Sequence, residues 1–188
     1  MKIRLKKFKK VKSTNDIALK LIKRNISGPI LITSEKQTGG RGRFGKKWVS
    51  KKGNLFISIY FKLDKIKINF KQFAILNALL IKKIIYKNFS KKIKIKWPND
   101  LLFNNQKFCG ILQEMIKINQ FNYLIVGIGI NTNITPQNQL FKSTSLRNIV
   151  KKNIDNRKVI QNILFEYEKF LNKTKKMTFL ELKRKYKK

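Results

Sequence analysis

The sequence predicts an α+β fold built on a mixed, largely antiparallel sheet. Apolar strand-like runs fall in groups, several are separated only by Asn- and Gln-rich turns, and amphipathic helices flank the groups instead of alternating with every strand. No internal repeat and no linker rich in Pro, Gly or Ser divides the chain. At 188 residues it suits one domain with a substantial core and would crowd two.

Ile3, Leu5, Phe8 and Val11 alternate loosely and mark a first strand over residues 2–11. Ser13 then offers a helix N-cap, with Asp16 three residues on in capping-box position, and Ile17, Ala18, Leu21 and Ile22 supply the apolar stripe. Gly28-Pro29 ends that helix, and Ile30-Leu31-Ile32-Thr33 begins a second strand. Residues 37–53 are glycine-rich, basic and without period, hence a loop; Leu55 to Phe61 is a strong third strand. A long helix is expected over about 71–89, burying Phe73, Leu76, Leu80, Ile84 and Ile85. Strands follow at Ile93–Trp97, at Leu101–Phe103 with Lys107–Ile118, and at Phe121–Ile130, turning at Asn104-Asn105-Gln106 and at Asn119-Gln120. Val159, Ile163, Leu164, Tyr167 and Leu171 mark a helix over about 157–172, and a lysine-rich helical tail (about 173–188) closes the chain.

Composition excludes several chemistries. There is one cysteine, Cys109, and no histidine, so an internal disulfide, a CxxC motif, a Ser-His-Asp triad and a histidine zinc site are all ruled out. No apolar run approaches the roughly 18–20 residues of a membrane span, and Met1 to Leu5 is too short and too basic for a signal-peptide core. A cytoplasmic, non-membrane protein is expected. The net charge of +36 points toward polyanions, yet 38 of the 45 basic residues are lysine, spread along the whole chain beside abundant Ile and Asn. That diffuse bias reads as background drift, with no specific DNA site; a decayed basic nucleic-acid-binding module is the rival reading.

Three segments carry chemistry. Gln37 to Trp48 holds Gly39, Gly40, Gly42 and Gly45 around Arg41 and Arg43, two of the chain's seven arginines. Glycines let backbone approach a ligand, and planar guanidinium forks suit carboxylate or phosphate, so this loop reads as an anion binder more readily than as one more flexible basic loop. In Lys96-Trp97-Pro98-Asn99-Asp100, a rigid corner exposes an amide and a carboxylate, and Lys107 starts the next strand across a hairpin from Asp100. Alone, that pattern is better explained as a turn and a surface lysine. In Val126-Gly127-Ile128-Gly129-Ile130-Asn131 the glycines clear one strand face, either for a flat ligand or for tight packing of a helix.

Taken together, Ser13-Thr14-Asn15, the GGRGRFGKKW loop, KWPNDLL with its following lysine, GILQE and GIGINTN resemble the catalytic domain of biotin–protein ligases, in that family's order and spacing. The likeness spans about residues 11–175. It implies a fold like class II aminoacyl-tRNA synthetases and lipoate ligases, with helices packed on one face of the sheet. It implies an enzyme that joins biotin to ATP as biotinyl-5′-AMP, with Mg²⁺, and passes biotin to a lysine of the biotin carboxyl carrier protein of acetyl-CoA carboxylase. Ser13, Thr14, Asn15, Gln37, Gly40, Arg41, Gly42, Arg43, Lys107, Gly110 and Gly127 would meet biotin. Arg43, Lys46, Lys47, Trp48, Asn99, Asp100, Lys107 and Asn131 would meet ATP, with Lys107, Arg43 and Asp100 catalytic. A lipoate or octanoate ligase is the alternative within the same chemistry. Three departures stand out. No N-terminal helix-turn-helix and no complete C-terminal β-barrel domain are expected, and Gly45-Lys46-Lys47 stands where many relatives place an arginine after the glycine. The resemblance leaves monomer and homodimer both open.

Overall fold

The computed structural model describes residues 2–64, 66–137 and 141–187. Seven strands form one sheet: β1 (Arg4–Val11), β2 (Ile30–Gln37), β3 (Leu55–Lys62), β4 (Ile93–Lys96), β5 (Asp100–Phe103), β6 (Gln106–Ile118) and β7 (Phe121–Ile130). Their order is β1-β2-β3-β7-β6-β5-β4; β1 and β2 pair in parallel and every other neighbour is antiparallel. The parallel pair exists because α1 (Thr14–Lys23) carries the chain across between β1 and β2. β4 to β7 form a meander whose last two turns use Asn104, Asn105 and Asn119 at positive φ, the conformation that tight hairpins demand and Asn tolerates.

Both faces of the sheet are covered, which is why β3 reads as an almost unbroken apolar run. On one face, α2 (Phe70–Asn88), α4 (Asn156–Thr174) and α5 (Phe179–Lys187) bury the main core with Leu55, Ile57, Ile59, Val126 and Ile128. The expectation of helices on one face describes these three. α1 lies on the other face, where Ala18 and Ile22 cover Ile30, Ile32, Tyr60, Tyr123 and Ile125. A short helix, α3 (Leu146–Val150), had no counterpart in the sequence reading; at five residues it is too short to show periodicity. The lysine-rich C-terminal segment is more than a tail, since Leu182 and Tyr186 of α5 are buried.

Two capping expectations change. Ser13 is the N-cap of α1 but makes no side-chain cap bond, and Asp16 turns to Arg41, because a guanidinium offers a stronger charge-assisted partner than a neutral backbone N–H. The complete capping box belongs to α2, between Asn69 and Gln72.

In the main core, Phe170 meets Phe73, Tyr167 and Tyr186 edge-on at ring centroid distances of 6.2, 6.0 and 5.6 Å. Phe170→Ala is expected to remove about 3–5 kcal/mol of stability. A urea melt would show it as a lower midpoint with an unchanged slope.

Candidate active site

The site grows from a change of residue type along the α1 face of the sheet. Tyr123 and Ile125 of β7 lie under α1; the next residues on that face are Gly127 and Gly129, with Gly110 of β6 paired to Gly129 and Ser58 of β3 paired to Gly127. Where large side chains stop, a cavity opens, floored by Gly110, Gly127 and Gly129 and walled by Ser13, Thr14, Asn15, Gln37 and Trp48. The glycines make room for this chain's own side chains. A Cβ on Gly110 would lie 2.7 Å from the Trp48 ring, one on Gly129 closer still, and one on Gly127 would lie 2.5 Å from Asn15 Oδ1.

One wall is a hydrogen-bonded polar cluster. Gln37 Oε1 accepts from the Thr14 backbone N–H (2.8 Å) and hydroxyl (3.1 Å), while Gln37 Nε2 donates to Ser50 Oγ (3.0 Å). The Ser58 hydroxyl stands 2.7 Å from Thr14 Oγ1 and also reaches Asn15 Oδ1. Asn15 Nδ2 donates to Glu114, and both Glu114 oxygens accept from Arg41. Arg41 also pairs with Asp16. Partial burial acts to lower the Arg41 pKa, but the bonds and charges of Asp16 and Glu114 outweigh it and raise it above the ordinary arginine value.

The opposite end is cationic. Lys107 Nζ lies 2.8 Å from Asp100 Oδ1, both side chains under one-fifth exposed. The register shift between Leu101 and Leu102 produces this contact, since Lys107 pairs in the ladder with Leu102 and Asp100 with Gly110. The approach is that of an ion pair without hydrogen-bond geometry, which leaves Asp100 Oδ1, like Trp48 Nε1, buried and without a hydrogen-bond partner. Lys107 Nζ also stands 5.4 Å from the Trp48 ring and 5.0 Å from Phe141. Beyond it a recess is lined by Arg43, Phe44, Lys46, Lys47, Lys96, Asn99 and Lys142. Gly42, Arg43, Trp48, Asn99, Asp100 and Lys107 border both spaces.

The glycine-rich segment roofs the junction as a miniature hairpin. Trp48 N donates to Gly40 O (2.9 Å), Gly42 N donates to Lys46 O (2.6 Å), and Arg41 bridges Lys47. At its tip Phe44 and Gly45 adopt positive φ and Phe44 is 86% exposed. Arg43 ties the tip back to the KWPND corner through Asn99 Oδ1 at 3.1 Å.

A family model described as the biotin/lipoate A/B protein ligase family matches residues 7–131. The chain belongs to that family. Among its relatives is a bifunctional ligase/repressor, BirA, of Bacillus subtilis, 35% identical over 84% of this chain and 50% of its own length. A biotin–[acetyl-CoA-carboxylase] ligase of Paracoccus denitrificans is 33% identical over 63% of this chain and 50% of its own length. A biotin protein ligase from Aquifex aeolicus, solved with biotin and ATP, superposes with a TM-score of 0.83 at 31% identity, covering 97% of this chain and 76% of that one. The chain thus spans about half the length of the curated relatives it matches.

Within this ligase fold the residues singled out from the sequence fall into three groups. Ser13, Thr14, Asn15, Gln37, Arg41, Gly42, Arg43, Trp48, Asn99, Asp100, Lys107, Gly110 and Gly127 line the first cavity, and Lys46 and Lys47 line the recess. Gly40 lines neither; its bare Cα lets the hairpin close against Ser50. Asn131 lines neither as well: it is buried and donates to Thr144 O at 3.1 Å, with its Oδ1 unpartnered. Cys109 is fully buried, and burial pushes its thiol far above the usual range, so it stays protonated and inert. Sequence reasoning gave no role to Ser58, Glu114 or Phe141. Ser58 carried a signal, being the one small polar residue in the run Leu55–Phe61. Glu114 carried one too: the chain has only nine acids, and three of them, Asp16, Glu114 and Asp100, hold cations at this pocket.

Proposed function

We propose that the chain is an ATP-dependent biotin–protein ligase that forms biotinyl-5′-AMP and transfers biotin to a lysine of a biotin carboxyl carrier protein. The observation that carries this reading is one pocket with a neutral hydrogen-bonding wall at one end and Lys107 at the other, opening on a cationic recess. Biotin has the matching polarity: a ureido ring that needs donors and acceptors, an apolar body, and a terminal carboxylate. Thr14, Asn15 and Gln37 suit the ring, and Lys107 suits the carboxylate. A lipoyl or octanoyl chain would leave those polar groups unmatched, at a cost of about 1–3 kcal/mol each.

In the first step a biotin carboxylate oxygen attacks the α-phosphorus of ATP, and the bond to pyrophosphate breaks. Both reactants are anions, so their approach depends on positive charge; Lys107, Arg43, Lys46 and Lys47 line the recess and would supply it. In the second step an acceptor amine attacks the acyl carbon, AMP leaves, and the amine gives up a proton. Asp100, at the junction of both spaces, would orient that amine or take its proton. No protein nucleophile is required. Magnesium would enter with the nucleotide; among the described residues no cluster of three or more carboxylate, histidine or cysteine groups forms a metal cage.

On this proposal residues 1–188 act as one catalytic domain in the cytoplasm. Among the described residues no helix is long and apolar enough to cross a membrane. Incubating the protein with biotin, ATP, Mg²⁺ and a carrier domain should add one biotinyl group to that domain, seen by intact mass. Lipoyl or octanoyl transfer in its place would overturn the assignment.

A further inference from the structure

The cluster joining the polar wall to the loop has a direction, and one residue sets it. Glu114, on the same sheet face as Gly110 and next to α1, meets Asn15 through one oxygen and Arg41 through both. An ionised carboxylate only accepts hydrogen bonds, so the Asn15 amide must present its NH₂ to Glu114. Its oxygen then faces the other way, toward Ser58 and the space above Gly127. Ser58 occupies one lone pair of that oxygen, and Asn15 lines the cavity, which leaves an acceptor aimed at a ligand N–H. The same carboxylate holds Arg41 at the root of the glycine-rich hairpin, beside Asp16. Glu114 thus touches both Asn15 and Arg41.

We infer that Glu114 is a positioning residue that fixes the hydrogen-bond polarity of the pocket and, through Arg41, couples the polar wall to the loop that roofs it. This rests on the proposed function, which supplies the ligand: of biotin's groups, the ureido N–H is the donor that an Asn15 carbonyl oxygen would select. Scarcity of acid supports a dedicated role, since Glu114 is one of nine carboxylates in a chain of net charge +36 and holds a guanidinium and an amide at once.

The test is biotin affinity by calorimetry, which needs no turnover, in four proteins of the same shape: wild type, Glu114→Gln, Asn15→Asp and the double variant. Glu114→Gln offers Asn15 either a donor or an acceptor, so the amide is no longer held one way. Affinity should fall about 10- to 100-fold, the range expected for losing a charge-assisted hydrogen bond. Asn15→Asp alone sets two carboxylates together and should bind at least as poorly. Combining Glu114→Gln with Asn15→Asp restores complementarity. The introduced amide at position 114 donates to the introduced carboxylate at position 15, whose other oxygen again faces the ligand as an acceptor. The double variant should therefore bind biotin more tightly than either single variant. Wild-type affinity in Glu114→Gln, or a double variant no better than the worse single one, would overturn the inference while leaving the enzyme's assignment intact. A folded wild type that binds no biotin would overturn the assignment and the inference with it.

Discussion

Lys107→Ala is expected to slow formation of the biotinyl-adenylate by about 10²–10³, the usual cost of removing one preorganised cation from a reacting oxyanion, with the fold retained. Lys107 borders both the glycine-floored cavity and the cationic recess, held at 2.8 Å from Asp100 and flanked by Trp48 and Phe141. The substitution also strips Asp100 of its partner, and an unpaired, mostly buried carboxylate has its own cost. Lys107→Ala combined with Asp100→Asn separates the two effects. Equal loss in the single and double variants assigns the defect to the missing ammonium; recovery in the double variant would assign it to the stranded carboxylate. Single-turnover adenylate formation is the measurement, and an unchanged rate in Lys107→Ala would remove that residue from the chemistry.

Arg43→Gly is expected to change fidelity more than folding. Arg43 links the exposed tip of the hairpin to the KWPND corner, through Asn99, and it borders both spaces. Without it the roof loses a charged hydrogen bond at the point where it closes, which corresponds to about 10- to 100-fold faster release of a bound adenylate. Released biotinyl-AMP acylates any amine it meets. The ratio of biotin on bystander lysines to biotin on the carrier domain should rise by a similar factor, measured by mass spectrometry of a mixed-protein incubation. Strict labelling of the carrier alone would count against the hairpin as a roof.

Much of this was legible in the sequence because local chemistry and global fold agree. Asn104-Asn105 could only turn, Leu55–Phe61 could only be a strand, and the arginine pair stood out against a lysine background. What local pattern misses is partnership across the sheet. Asp16 has the spacing of a capping-box member, yet Arg41, 25 residues later, takes it for a salt bridge. The glycines at 110, 127 and 129 announce a bare strand face without saying that Trp48 and Asn15 fill it. Ser58 and Glu114 acquire meaning only once the ladder sets Ser58 beside Gly127 and Glu114 reaches Asn15. Nor could spacing reveal that Lys107 reaches Asp100 through a register shift.

The proposed chemistry brings a carboxylate and a nucleotide together at Lys107 in one pocket. Biotin-dependent exchange of labelled pyrophosphate into ATP, with purified protein and Mg²⁺ and with lipoate and octanoate in parallel, tests it most directly. Exchange that requires biotin and is lost in Lys107→Ala is the predicted result. A folded, monodisperse protein that supports no exchange with biotin, or exchanges equally well with lipoate, would contradict it.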